Sequence, residues 1–301
     1  MRRQIVSLLF VVFTAVLSAA PARAQGMDTV QVRVHPVARN IYMLTGRGGN
    51  IGLCTGKNGA FLIDDQYAPL TDKIRAAVAS VTDLPIRFVV NTHLHQDHTG
   101  GNENMAGEGA IIVAQENVRK RMSVFQFSKT FNDTTPPAPE AALPVITFAD
   151  SLTFHWNGEN IRVVHVPPAH TDGDAFVVFP AAAVIHTGDL LFNNMYPFID
   201  VDSGGSVRGV IAACDRLLAE SGPNTKFIPG HGKLGDREDI VAYRNMLNTV
   251  ADRIEKAVAE GKTVDEVVAM KPTADFDARF GGGYIKPDRW VKLIYAALSP
   301  Q

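Results

Sequence analysis

Asn91-Thr92-His93-Leu94-His95-Gln96-Asp97-His98-Thr99-Gly100-Gly101 is the stretch on which the reading of this chain turns. Four side chains able to bind a metal ion, His93, His95, Asp97 and His98, fall within six consecutive positions. The apolar run 86–90 precedes them, follows Pro85, and suits a strand buried on both faces. A loop at the end of such a strand lets side chains converge on one point. His93 and His95 are two apart, so in an extended segment they share a face, whereas Asp97 and His98 follow where the loop turns toward a helix. Imidazole nitrogens with carboxylate oxygens suit Zn2+, a borderline ion that takes both.

Three later stretches repeat the arrangement. His170 lies in Pro167-Pro168-Ala169-His170-Thr171-Asp172-Gly173-Asp174, after a predicted strand at 161–166. Asp189 lies in His186-Thr187-Gly188-Asp189, just past a predicted strand at 183–186, and His231 lies in Pro229-Gly230-His231-Gly232, just past another at 226–228. Each candidate ligand follows a strand and is flanked by Gly or Pro, residues that permit or fix unusual backbone geometry. His35, His155, His165 and His186 lie on predicted strands and read as structural, the last two as neighbours that could orient a ligand. Asp64-Asp65, ending an early strand, could hold a ligand imidazole in the same way. Asp172 reads as a turn residue, and Asp174 as either a turn residue or a support for the ligands.

Around these stretches the periodicity gives an α+β chain. Residues 30–34 alternate with period two, as a half-buried strand does, and 41–44, 51–55 and 60–63 are further short strands punctuated by Gly48-Gly49 and Asn58-Gly59. Leu70, Ile74, Ala77, Val78 and Val81 share one helical face. A strand at 110–113, a polar helix at 116–122 and a long surface loop at 125–144 follow; loops of that length in compact domains are often functional lids. Strands at 145–148, 152–155, 161–166, 175–179 and 183–186 lead to helices at 207–219, 236–259, 264–270 and 287–297. Strands precede helices in each half, which a four-layer αββα sandwich accommodates.

Taken together, His-x-His-x-Asp-His, His170 before Thr-x-Gly-Asp, Thr187-Gly188-Asp189 and Pro229-Gly230-His231-Gly232 resemble the metallo-β-lactamase superfamily over about 30–247. The resemblance implies that fold and a site for two zinc ions per chain. His93, His95 and His170 would bind the first, Asp97, His98 and His231 the second, and Asp189 would bridge them. It further implies a hydrolase that attacks an acyl bond with hydroxide, Asp97 being the catalytic residue that orients the nucleophile and relays its proton. The β-lactam amide is one candidate bond. Many two-zinc β-lactamases of this layout, however, carry Cys at the bridging position and a substrate-binding Lys three residues on; here Asp189 and Phe192 stand there, and Asn193, Asn194 or the 125–144 loop would have to receive a substrate carboxylate. A bridging Asp is more like lactonases and hydroxyacylglutathione thioesterases. An iron-dependent sulfur dioxygenase shares parts of the ligand set, so iron is the alternative metal.

Composition bounds the partners. The chain has 301 residues, with 29 basic and 31 acidic side chains, a balance that argues against a nucleic-acid surface and leaves a small-molecule acyl substrate as the expected partner. Met1-Arg2-Arg3, an apolar run over 5–17 and Ala22-Arg23-Ala24 read as a signal peptide over 1–24, cleaved before Gln25. The run is too short for a stable membrane span. The mature domain, 25–301 with a helical C-terminal segment from about 236, would carry a formal charge of −5 and act in the periplasm or outside the cell. Cys54 and Cys214 read as separate small buried side chains rather than as a disulfide.

Overall fold

A computed structural model describes residues 26–299, so the expected leader lies outside the described residues. The first sheet contains β1 (Arg33–Ala38), β2 (Ile41–Thr45), β3 (Ile51–Cys54), β4 (Ala60–Ile63), β5 (Ile86–Val90) and β6 (Ile111–Gln115). A separate hairpin, β7 (Gln126–Ser128) and β8 (Asp133–Thr135), comes before its last strand, β9 (Ile146–Phe148). Strand order follows the chain, antiparallel from β1 to β4 and parallel from β4 through β5 and β6 to β9. The second sheet is β10 (Ser151–Trp156), β11 (Glu159–His165), β12 (Ala175–Phe179), β13 (Val184–Phe192) and β14 (Lys226–His231), with only the last pair parallel.

The sheets face each other through one apolar layer in which Ile41, Phe61, Ile63, Val90 and Val113 meet Ile161, Val163, Val177, Phe179 and Ile228. Helices α1 (Thr71–Ala79), α2 (Gln96–Thr99), α3 (Asn102–Gly107) and α4 (Glu116–Met122) belong to the first half. The second half carries α5 (Val207–Glu220), α6 (Arg237–Ala259), α7 (Val264–Ala269), α8 (Asp277–Phe280) and α9 (Pro287–Leu298). Ile74 and Val78 of α1 and Met105 of α3 pack on Leu53, Leu62 and Val89, while α5, α6 and α9 cover Phe176, Ile185 and Phe227. The result is the expected four-layer αββα sandwich. The inner strands β12 and β13 are buried along their whole length, which is why β12 reads as a continuous apolar run.

Several boundaries move for physical reasons. The first strand begins at Arg33 rather than at Val30, because the Lys73 ammonium takes the carbonyl oxygens of Met27, Asp28 and Val30 at 3.0, 2.5 and 2.8 Å. β5 is fully buried only at Val89 and Val90. β13 runs to Phe192, past the expected end at 186, because Gly188 takes a φ of +52° and lets the strand shift register against β14 and continue. Asp189 and His231 therefore lie inside strands rather than beyond them. The 125–144 segment is not a bare loop; it folds into the β7–β8 hairpin and a 3-10 turn at Glu140–Ala142.

Cys54 and Cys214 are free and buried in different apolar clusters, and burial pushes both thiols up to about 12. Helix α6 starts at a capping box, with the Asp236 carboxylate accepting the Glu238 and Asp239 amides and Asp239 returning a bond to the Asp236 amide. Asp236→Ala is expected to destabilise the chain by about 1 kcal/mol, read as a lower urea midpoint at unchanged slope. Trp290 of α9 is fully buried and stacks on Tyr196, 4.4 Å between centroids and 14° between planes, which locks α9 to the segment after β13.

Candidate metal centre

All seven predicted side chains converge at one end of the sandwich. The β5 loop delivers His93 and His95, and the first turns of α2 deliver Asp97 and His98. His170 comes from the loop between β11 and β12, Asp189 from β13 and His231 from the end of β14. They form two groups whose ligand atoms lie within 4.8 Å of one another, His93, His95, His170 and Asp189 in one and Asp97, His98 and His231 in the other. His95 Nδ1 stands 3.1 Å from His93 Nε2 and 2.9 Å from His170 Nε2. In the second group Asp97 Oδ2 stands 3.3 Å from His231 Nε2 and 3.7 Å from His98 Nε2.

Asp189 lies between the two groups. Its Oδ2 is 3.4 Å from His170 Nε2, 3.7 Å from His93 Nε2 and 3.4 Å from His231 Nε2, and its Oδ1 is 3.2 Å from His98 Nε2. The approach needs glycine on both flanks: a Cβ on Gly230 would collide with Asp189 Oδ1, and one on Gly49 would enter the His98 ring. The Asn50 amide, which bonds the carbonyls of Pro229 and Gly232 at 2.9 Å each, pins those two glycine loops together.

Behind the ring nitrogens stands a set of acceptors that fixes how each imidazole points. Asp64 Oδ2 is 2.7 Å from His98 Nδ1 and accepts the Thr92 hydroxyl at 2.8 Å, while Oδ1 accepts the Thr92 amide at 2.7 Å. With its proton committed to Asp64, the Thr92 oxygen is free to accept from His93 Nδ1, 3.0 Å away. One buried carboxylate thus orients two imidazoles. His170 Nδ1 faces the Phe198 carbonyl at 2.8 Å, and His95 Nε2 faces Asp200 Oδ2 at 2.9 Å. These acceptors favour a proton on each outer nitrogen, the tautomer that directs the lone pair of the inner one into the cluster.

Imidazole nitrogens and carboxylate oxygens gathered at these distances suit a cation. The buried His98 Nε2 and Asp189 Oδ1 have no hydrogen-bond partner, although they are only 3.2 Å apart, because both present acceptors once His98 gives its proton to Asp64. Five imidazoles and two carboxylates are the donor set that a borderline divalent ion takes, so the residues present fit metal ions. Burial works against ionisation of Asp189, but His231 and His98 outweigh it and hold the carboxyl well below its usual range. Asp97 is likewise brought to about 2 against its burial, chiefly by His98 and His231. Burial drives His93 well down and His170 down to about 4, so both are neutral as ligands must be, whereas the surrounding carboxylates push His98 well up and His231 up to about 9; a metal ion bound there would displace the protons these two hold.

Access is one-sided. His95, Asp97 and His231 side chains are 21%, 21% and 24% exposed, whereas His93, His98, His170 and Asp189 are at most 4% exposed, so a substrate approaches across the first three.

The remaining polar residues divide clearly. Asp64 holds ligand imidazoles as expected, while Asp65 instead accepts the Gly101 amide at 2.9 Å. The four other histidines are structural: His35 bonds Thr45, His155 bonds Asn160, His165 meets the Asp174 carbonyl and His186 meets the Asn50 carbonyl. Asp174 accepts the Thr171 amide and hydroxyl, which makes it a turn residue. Asp172 does more than turn the chain, because its two oxygens take the Arg121 guanidinium at 2.6 Å each and tie α4 to the His170 loop. Asn193 is not free to receive a substrate, since its amide bonds the Lys233 carbonyl and Asp239, and Asn194 is engaged by Arg279 at 2.6 Å. Sequence reasoning missed Asp200: it lies 105 residues from His95 in an unremarkable Asp-Val-Asp-Ser turn, and no spacing rule links the two.

Known proteins resemble the chain in the same sense. It is 26% identical over 149 residues to a hydroxyacylglutathione hydrolase of Brucella anthropi, covering 46% of this chain and 49% of that one. It is 24% identical over 216 residues to the beta-lactamase-like protein 2 homolog of Drosophila melanogaster, covering 68% and 64%. The chain thus spans about half the length of the first relative and under two thirds of the second. Its fold superposes on a metallo-beta-lactamase from Pontibacter korlensis with a TM-score of 0.60 at 20% identity, covering 72% of this chain and 99% of that one. Residues 44–233, a span that contains every one of the seven converging side chains, match the Metallo-beta-lactamase superfamily, and the chain belongs to that superfamily.

Proposed function

We propose that the protein is a metal-dependent hydrolase of acyl bonds in small molecules, working with two zinc ions per chain. His93, His95 and His170 would hold one ion, Asp97, His98 and His231 the other, and Asp189 would bridge them. The observation that carries this reading is the position of Asp189 between two groups of inward-facing ligand atoms. Metal ions bound there would bring the pKa of a coordinated water to near ~7 and polarise the substrate carbonyl. Asp97, half-buried at the open side, orients the attacking water and takes its proton. His95 and His231 border the same opening, while the other ligands are buried away from bulk water. Asp189 at the bridging position and Phe192 three residues on resemble lactonases and thioesterases more than β-lactamases with Cys and Lys there, and the β-lactam stays in the range on the likeness of fold. The relatives include a hydroxyacylglutathione hydrolase by sequence and a metallo-beta-lactamase by fold, so all three bonds belong to the proposed range.

The test is a hydrolysis panel on the purified, zinc-loaded protein, with penicillins, cephalosporins, carbapenems, lactones and thioesters. Turnover of at least one class, abolished by a chelator and restored by zinc, is expected. A protein that retains its metal and turns over none of them would remove the hydrolase reading.

Asp200 gives a sharper check on the ligand assignment. Asp200→Asn keeps an oxygen near His95 but removes the charge that favours a proton on Nε2. Zinc affinity is expected to fall about tenfold, the low end of what support residues around metal ligands contribute, when measured by competition with a chromophoric chelator.

No helix among the described residues is long and apolar enough to cross a membrane. We read 1–24 as a cleaved signal peptide and 25–301 as one exported hydrolase domain. N-terminal sequencing of the exported protein should begin at Gln25, and a first residue of Met1 on protein recovered from the cytoplasm alone would contradict it.

A further inference from the structure

We propose that Arg289, held over the aromatic pair Phe131 and Phe198, is a specificity-determining residue of the metal centre, and that it selects acyl substrates bearing a carboxylate beyond an apolar portion. The inference rests on the hydrolase reading and adds the substrate class to it. Phe198 is where the wall begins. Its ring centroid lies 5.9 Å from that of His95 and 6.0 Å from that of His170, and its carbonyl oxygen fixes His170, so it cannot shift without moving a ligand.

Phe131, at the tip of the β7–β8 hairpin, continues the wall at 5.1 Å from Phe198. It is 43% exposed, and with Val124, Phe125 and Phe127 at 51%, 70% and 53% the same segment carries several exposed apolar side chains. The hairpin tip is held where it is by the Lys129 amide, which donates to Asp202 at 2.7 Å, in the same turn that presents Asp200 to His95.

Arg289 closes the outer edge. Its guanidinium carbon stands 5.5 Å from the Phe131 centroid. The buried stack of the adjacent Trp290 on Tyr196 fixes the start of α9 and so the backbone position from which the exposed Arg289 side chain reaches Phe131. Among the described residues no carboxylate lies within ion-pair distance of Arg289, whereas Arg121, Arg208, Arg253 and Arg279 are paired with Asp172, Glu255, Asp275 and Asp239. A guanidinium stacked on a ring keeps its N–H edges open, in the fork geometry that matches a carboxylate. The position three residues after Asp189 offers no competing cation, because Phe192 is buried and stacks on His231 at 5.0 Å and 20°. The order outward from the metal ligands is therefore aromatic, aromatic, cation. A substrate laid along it has its acyl bond at the metals, an apolar stretch on Phe198 and Phe131, and an anion at Arg289.

The experiment uses the zinc-loaded protein and three matched substrate pairs, a penicillin, a lactone and an aryl thioester, each with a free carboxylate and as its methyl ester. For Arg289→Ala, KM for the carboxylate member is expected to rise about tenfold, the loss of one charge-assisted bidentate contact, with kcat little changed and the ester unaffected. Arg289→Lys should recover only part of that, because an ammonium lacks the fork. Phe131→Ala should raise KM for both members alike. Equal effects of Arg289→Ala on acid and ester, or none on either, would overturn the proposal and leave the hydrolase reading standing. An unmodified protein that hydrolyses no pair would overturn both.

Discussion

Asp189→Ala is expected to lower kcat/KM by about 10³-fold or more, since several kcal/mol of transition-state stabilisation depend on the metal pair and each ~1.4 kcal/mol is a factor of ten. The Asp189 carboxylate lies within 3.7 Å of His93, His98, His170 and His231. Without it the two groups of ligands lose their common member and one of the two carboxylates in the ligand set. The fold should survive, because Asp189 lies on a strand whose backbone pairing and surrounding apolar layer do not use its carboxylate. Steady-state kinetics and metal content, taken with an unchanged circular dichroism spectrum, check the expectation. A folded Asp189→Ala protein with near-normal rates would show that the metals are not held as described. Asp189→Asn, with the same shape and no charge, should fall almost as far.

Asp64 carries the second large effect although it touches no metal position. Its two oxygens accept the Thr92 amide, the Thr92 hydroxyl and the His98 ring, and through Thr92 they also set the tautomer of His93. Asp64→Ala leaves those buried donors without an acceptor and both imidazoles free to turn. Zinc affinity should drop about 100-fold, the upper end of the range for such support residues because two ligands are affected. Stability of the metal-free protein should fall by about 2 kcal/mol, the cost of stranding donors that had bonded a charged group. Asp64→Asn separates the two effects. Its carbonyl oxygen can still accept the Thr92 amide, but its NH2 faces His98 Nδ1 and forces the His98 proton onto Nε2, where the lone pair is needed. Asn should therefore retain much of the stability and lose most of the affinity. Equilibrium dialysis and urea unfolding on both variants test this, and equal losses of affinity and stability in the two would refute it.

The candidate site was legible in the sequence to the extent that its residues announce themselves locally. His93 to His98 are contiguous, and His170, Asp189 and His231 each stand beside glycine or proline near a strand end, where backbone can bring a ligand to its point. The glycines proved more specific than that rule suggests, since Gly49 and Gly230 leave room for the His98 ring and the Asp189 carboxylate. Supports that act over long separations were not legible. Asp200 meets His95, Arg121 meets Asp172 and Asn193 braces Asp239, and each pair is joined by packing that no local pattern encodes.

The fold followed the same division. Helices α4, α5, α6 and α9 and strands β4, β5 and β12 lie close to where periodicity and capping residues put them. The first strand moved because Lys73 captured the carbonyls ahead of it, and β13 lengthened because one glycine with positive φ carried it past its expected end. The hairpin at 126–135 was hidden among polar residues and prolines, and it is held in place by Asp202 and Phe198 rather than by its own pattern.

Elemental analysis of the purified protein, beside His170→Ala and Asp189→Ala prepared in the same way, decides whether the seven side chains hold a metal pair. Two zinc ions per chain are expected in the unmodified protein, with a loss in both variants that parallels the loss of hydrolysis. An unmodified chain that retains no more divalent metal than Asp189→Ala would contradict it.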